Sequence, residues 1–276
     1  MRVALIQFNA GPDKKENVRR ACQWVRVAAS RKARFILFPE VFNLRKKILK
    51  ENILSLAESI PGESTSPFLD LAKKHKAYIL LGSLLTRPKI FSNGKVSNTS
   101  VLIGPNGKIL TTYNKINLFD AIIGKIIVRE SENFLPGQKK VLTPVDEFTV
   151  GMSICYDLRF PELYRHHFCR GANLLTVPSN FTSKTGQAHW EPLLRARAIE
   201  NLSYVLAPNQ VGVDGKGILS YGHSMIISPW GEVLAKASGN KEEIIYSDIS
   251  LAEVKKCRQV LPSIGKIIST RIFKKT

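Results

Sequence analysis

The order strand, helix, strand, helix, strand, hairpin occurs twice in this chain, and that duplication constrains its fold more than any other feature. In the first copy, Val3–Phe8 is an apolar run ended by Asn9, Gly11 and Pro12. A helical face follows in Val18, Ala21, Cys22, Val25, Ala28 and Ala29, with Arg19, Arg20 and Arg26 at other positions. Phe35–Phe38 is a strand halted by Pro39, Ser66-Pro67 opens a helix, and Tyr78–Gly82 is the next strand. Asn98–Ile103 and Lys108–Leu110 flank Pro105-Asn106-Gly107 as a hairpin. The second copy runs through Thr149–Ile154, a helix from Pro161 to near Gly171, Leu174–Val177, a helix from about Ala188 to Asn201, and Tyr204–Ala207. It closes with a hairpin of Ser224–Ile227 and Glu232–Leu234 around Pro229-Trp230-Gly231. Alternating strands and helices make an α/β fold. Two such units pack naturally sheet against sheet with helices outside, a four-layer α-β-β-α sandwich. No stretch rich in Gly, Ser or Pro divides the chain, so one domain over residues 1–276 is expected. Residues 114–137 join the halves. The tail from about residue 250 lies outside the repeat and is expected to pack on a partner subunit in a homo-oligomer.

No run approaches the roughly 18 apolar residues that span a bilayer, and the first residues lack a cleavage site. A cytoplasmic protein with no membrane partner is expected. The four cysteines are scattered with no C-x-x-C pair, which argues against a disulfide framework and a zinc ribbon. The formal net charge is +19. Its basic residues come in short clusters, such as Arg45-Lys46-Lys47 and Lys255-Lys256, without an aromatic-interleaved strip. They read as a solvated basic surface rather than a nucleic-acid site, and their field would speed the arrival of an anionic small molecule.

Ile154-Cys155-Tyr156-Asp157-Leu158-Arg159-Phe160-Pro161-Glu162 is the most informative stretch. Cys155 ends an apolar strand just before a turn into a helix, where α/β folds build their sites. The nearby helix amino terminus would favour its thiolate. Cys22 and Cys169 lie within helices and read as inert. Glu40, after Phe38-Pro39, emerges at the same edge of the fold. Lys115 stands between Tyr113 and the apolar Ile116, Leu118 and Phe119, unlike the solvated lysines elsewhere. No phosphate-binding glycine loop, complete nucleophile elbow or zinc-binding histidine pair occurs, and His166 and His167 read as helix-surface residues. No metal and no cofactor are expected.

Phe38-Pro39-Glu40, Tyr113-Asn114-Lys115 and Ile154-Cys155-Tyr156-Asp157-Leu158-Arg159-Phe160-Pro161-Glu162-Leu163 resemble, in order and spacing, the three signature blocks of the nitrilase superfamily of carbon-nitrogen hydrolases. The resemblance runs from Val3 to about Pro262. Thr185–Glu191, Leu194–Glu200, Gly222–Met225 and Pro229-Trp230-Gly231 resemble the Nit branch, and within it the deaminated-glutathione amidases more than the omega-amidases. The resemblance implies hydrolysis of a small linear carboxyamide, the partners being that amide and water. It implies Cys155 as nucleophile, Glu40 as proton shuttle and Lys115 as oxyanion stabiliser, with the backbone N–H of Tyr156 as a second donor. The family's second active-site glutamate falls on Glu130. Three features depart from the branch: an apolar and basic connector at Asp120–Lys125, Asn180 where a small residue is common, and Pro208-Asn209 in place of small apolar residues. Two other readings are open: acyl transfer to a different amine, and nucleic-acid binding on an inactive scaffold.

Overall fold

The computed structural model describes residues 1–46, 52–88, 92–123, 126–215 and 217–262. The first half contributes β1 (Arg2–Gln7), α1 (Lys14–Ser30), β2 (Phe35–Leu37), α2 (Ile53–Leu56), α3 (Ser66–His75), β3 (Tyr78–Thr86), β4 (Ser97–Ile103) and β5 (Ile109–Asn114). The connector carries a small hairpin, β6 (Asp120–Ile123) and β7 (Ile126–Arg129), and a short 3-10 turn at Glu130–Glu132. The second half contributes β8 (Leu142–Val145), β9 (Phe148–Met152), α4 (Pro161–Cys169), β10 (Leu174–Thr176), α5 (Ser183–Asn201), β11 (Tyr204–Ala207), β12 (Val211–Val213), β13 (Leu219–Tyr221), β14 (Met225–Ile227) and β15 (Val233–Lys236). The described chain ends with β16 (Glu243–Asp248) and α6 (Leu251–Val260).

The duplication is explicit in the sheets. One is ordered β16-β1-β2-β3-β4-β5 and the other β8-β9-β10-β11-β14-β15. In each, three parallel strands are followed by an antiparallel hairpin, and the first of the three pairs antiparallel with an outer strand. In the second half that outer strand, β8, precedes β9 directly. In the first half it is β16, brought from the far end of the chain to β1. Residues 243–248, which sequence reading left without an assignment, thereby close the first sheet.

Side-chain alternation along β1 sorts the layers. Val3 and Leu5 join Phe35, Leu37, Val150, Met152 and Leu174 in a core between the two sheets. Ala4 and Ile6 face the opposite way and join Val18, Ala21, Cys22 and Val25 of α1 with Phe68 and Leu71 of α3. Trp190, Leu194 and Ala198 of α5 cover the outer face of the second sheet. The result is the four-layer α-β-β-α sandwich.

Several details differ from the sequence-based expectations. Helix α5 begins at Ser183, five residues early, because the Thr182 hydroxyl caps it by accepting from the Thr185 N–H. The connector and residues 211–221 form hairpins, whose short strands carry little periodicity to read. His167 is fully buried rather than on the helix surface. Its Nε2 donates to the Met152 carbonyl at 3.0 Å, and its ring lies over Gly151, where a Cβ would approach within 2.8 Å. Arg45 is not part of a solvated cluster but is 3% exposed, held inside the fold by polar atoms. Cys22 is buried on α1, as expected, and Cys169 is the last residue of α4. Of the tail, residues 263–276 lie outside the described residues, as do Gly124 and Lys125 of the connector.

Candidate active site

Strands β2 and β9 belong to different sheets, and their carboxyl ends meet. After β2, Phe38-Pro39 leads to Glu40, and Val41 takes a left-handed φ of +51°. After β9, Ser153-Ile154 leads to Cys155, also left-handed at φ +46°. Such backbone is uncommon for residues other than glycine and is held only where surrounding contacts enforce it. At Val41 the Ser83 hydroxyl accepts from its N–H at 2.9 Å. At Cys155 the N–H donates to the Pro178 carbonyl at 2.9 Å. Gly82 sits between the two loops: a Cβ there would fall 1.9 Å from the Phe38 carbonyl oxygen and 2.6 Å from Pro178. Only glycine lets these strand ends approach.

Lys115 follows β5 and is 1% exposed. Its Nζ lies 2.9 Å from Glu40 Oε1 and 2.9 Å from Glu130 Oε2. Glu40 is buried, and Oε1 also accepts from Asn98 Nδ2 at 2.9 Å while Oε2 accepts the Asn180 backbone N–H at 3.0 Å. Glu130, after the connector hairpin, accepts the Phe119 N–H at 2.8 Å. Burial works against the Lys115 ammonium, but Glu130 and Glu40 beside it outweigh that cost and hold its pKa well above the ordinary lysine value. Burial raises the Glu130 pKa, with Lys115 opposing and Glu40 reinforcing the rise.

Cys155 lies against this cluster. Burial and the Glu40 charge push its thiol well above the ordinary range, and Lys115 offsets them only in part. The environment thus opposes the thiolate that a nearby helix terminus would favour. Helix α4 begins only at Pro161, and the intervening 3-10 turn, Cys155–Arg159, is short. Within that turn the first N–H groups have no internal acceptor. Cys155 N–H is taken by the Pro178 carbonyl and Asp157 N–H by the Ile154 carbonyl, and Tyr156 N–H has no backbone acceptor outside the turn among the described residues.

Asp157 was not singled out by sequence reading, although it stands in the most informative stretch. It is fully buried. Oδ2 accepts from the Tyr113 hydroxyl at 2.6 Å and the Ile154 N–H at 2.9 Å, and Oδ1 accepts from the Asn117 N–H at 2.9 Å. It thus ties the Cys155 turn to the segment carrying Lys115. Asn98 and Asn117 are further supports that no spacing rule marks.

A narrow cleft opens at the sulfur, lined by Phe119, Cys155, Tyr156, Arg159, Asn180, Phe181, Thr182 and Thr185. The Tyr156 ring packs 4.9 Å from Phe119 and 5.6 Å from Phe160. The Arg159 guanidinium sits over the rings of Tyr156 and Phe181 at 5.8 and 5.4 Å. Asn209 supports the cleft from behind, accepting the Phe181 N–H at 3.0 Å. A larger open groove between α1 and α3, lined by Lys14, Arg19, Cys22, Arg26 and Glu63, has no comparable convergence of acid, base and nucleophile. Among the described residues, no group of three or more His, Cys, Asp or Glu side chains is disposed to hold a metal ion.

The architecture has counterparts among known proteins. The carbon-nitrogen hydrolase family model matches residues 2–259. Human omega-amidase NIT2 is 41% identical over 264 residues, covering 95% of this chain and 92% of that protein. The structure of Saccharomyces cerevisiae Nit3, a member of branch 10 of the nitrilase superfamily, superposes with a TM-score of 0.84 at 30% identity over 95% of this chain and 94% of Nit3. The C. elegans NitFhit protein superposes with a TM-score of 0.86 at 37% identity, over 96% of this chain but 64% of that longer one. The chain belongs to the carbon-nitrogen hydrolase family, in the Nit branch of the nitrilase superfamily, and is an amidase acting on carbon–nitrogen bonds other than peptide bonds.

Proposed function

We propose that this amidase releases ammonia from the terminal amide of a short carboxylate-bearing chain, with Cys155 as nucleophile. The observation that carries the reading is Lys115 clamped between Glu40 and Glu130 beside the Cys155 sulfur. As the sulfur attacks the amide carbonyl, the thiol proton passes to Glu40. The carbonyl oxygen gains charge opposite the Lys115 ammonium and the Tyr156 N–H. Glu40 returns the proton to the departing nitrogen, the C–N bond breaks, and ammonia leaves a thioester on Cys155. Water then attacks the thioester, giving its proton to Glu40. The second tetrahedral species collapses to the acid and returns the proton to sulfur. Glu130 keeps Lys115 charged and aimed throughout.

The carboxylate on the substrate answers Arg159, the cationic side chain lining the cleft. The similarity to omega-amidases favours the omega-amidase reading over the deaminated-glutathione reading. The test compares ammonia release from succinamate with release of cysteinylglycine from deaminated glutathione, whose leaving group is that amine. A higher kcat/KM for succinamate is expected; a higher value for deaminated glutathione would overturn the assignment of substrate class.

A further inference from the structure

Arg45 is an unusual buried charge: it is 3% exposed, it is held mainly by neutral acceptors, and Asp214 supplies its favourable negative charge. Its Nη1 donates to Asn9 Oδ1 at 3.2 Å, Gln210 Oε1 at 3.3 Å and the Val211 carbonyl at 3.0 Å. Its Nη2 donates to the Gly212 carbonyl at 3.2 Å and to Ser220 Oγ at 2.9 Å. A guanidinium can only donate. The Ser220 hydroxyl is thereby an acceptor from Arg45, and its own proton goes to Asn180 Oδ1 at 2.6 Å.

This relay fixes which way the Asn180 amide faces. Its oxygen is engaged on the protein side. Its Nδ2 has no hydrogen-bond partner among the described residues, and the residue lines the cleft above Cys155. The Asn180 backbone is itself pinned, because its N–H donates to Glu40 Oε2 at 3.0 Å and faces the Cys155 sulfur. A neutral N–H donor on a fixed backbone therefore belongs to a residue that lines the same cleft as Arg159.

We propose that Asn180 is a specificity-determining residue that donates through Nδ2 to the substrate's carboxylate, together with Arg159, and that Ser220 and Arg45 are its positioning residues. The proposal rests on the amidase reading above and names part of what selects the substrate. A carboxylate accepts from both groups, the guanidinium supplying charge and the amide a fixed direction. A hydrocarbon end would leave both donors unpaired in a confined cleft, which costs binding.

The experiment compares kcat/KM for succinamate and butyramide, two amides of similar length that differ in the carboxylate. Loss of one hydrogen bond to a charged group should lower the succinamate-to-butyramide ratio by about tenfold or more in Asn180→Ala, and Ser220→Ala should lower it in the same sense by releasing the amide. Because truncation keeps the Asn180 backbone bonds, the fold should hold. A fall in both substrates that leaves the ratio unchanged would mean a purely structural role and overturn the proposal. Calorimetric binding of succinate to Cys155→Ala, with and without Asn180→Ala, reads the same contact without turnover. Weaker succinate binding in the double variant is expected, and equal binding overturns the proposal. Wild-type protein that hydrolyses neither amide, yet loses succinate affinity on Asn180→Ala, would defeat the proposed substrate reading and leave this recognition site standing.

Discussion

Lys115 Nζ and Glu40 Oε1 lie 2.9 Å apart with almost no solvent access to either side chain, and Glu130 holds the same ammonium from the other side. One cation serves two carboxylates. Removing it leaves two negative charges facing each other in a buried space. Lys115→Ala should therefore lose activity and destabilise the protein by about 3–5 kcal/mol. Denaturant unfolding followed by fluorescence checks the second part.

Glu130 can be weakened more gently. Glu130→Gln keeps the shape and the acceptor oxygen but removes one charge from the ammonium's surroundings. A kcat/KM lowered by about tenfold to a hundredfold is expected, with an unfolding midpoint near that of the parent. Steady-state kinetics and denaturant unfolding measure both.

His167 gives the protein an acid-labile element. Burial lowers its pKa from 6.5 to about 4. Its depressed folded-state value means that the stability it contributes is present above pH about 6.5 and is lost as pH falls toward 4. The full swing is about 3 kcal/mol by the 1.36 kcal/mol per unit relation. His167→Gln, which retains a donor for the Met152 carbonyl, should flatten the stability profile in that window. Equilibrium unfolding at several pH values gives the slope.

Cys155 predicts the opposite sign at alkaline pH. Its thiol is raised in the folded protein, so its contribution is complete below the unfolded thiol pKa of about 8.5 and declines as pH rises beyond it. The stability difference between wild type and Cys155→Ala should shrink above that pH. Paired unfolding curves at neutral and alkaline pH test this.

Gly82 makes a steric prediction. The Cβ of Gly82→Ala would overlap the Phe38 carbonyl, which is backbone and cannot swing away. A loss of about 3 kcal/mol or more, with activity falling as Glu40 and Cys155 move apart, is expected. Thermal unfolding and ammonia release check the two effects.

The repeat, the layers and the positions of Glu40 and Cys155 were legible because each residue follows an apolar strand whose end is marked by proline or a turn, whereas Lys115, after the mostly polar β5, was marked chiefly by family resemblance. Glu130 was legible only through family resemblance, since a glutamate in an irregular connector carries no periodic signal. Asp157 and Asn98 were not legible as supports, because their partners are distant backbone and side-chain groups brought close by the fold. His167 was misread because its surroundings in sequence, Arg165, His166 and Arg170, are polar, while the neighbour that buries it is the glycine face of β9. Arg45 was misread for a similar reason: Lys46 and Lys47 beside it look like solvated charge, and nothing local announces the five polar atoms that receive it, four of them on the other half of the chain.

The convergence of Cys155, Glu40 and Lys115 on one carbonyl is tested most directly by trapping the acyl enzyme. Protein quenched with acid during succinamate turnover and mapped by mass spectrometry should carry a succinyl thioester on Cys155, cleaved by hydroxylamine, with Cys22, Cys169 and Cys257 unmodified. Ammonia release that persists undiminished in Cys155→Ala, with no adduct at Cys155 in the parent, would contradict it.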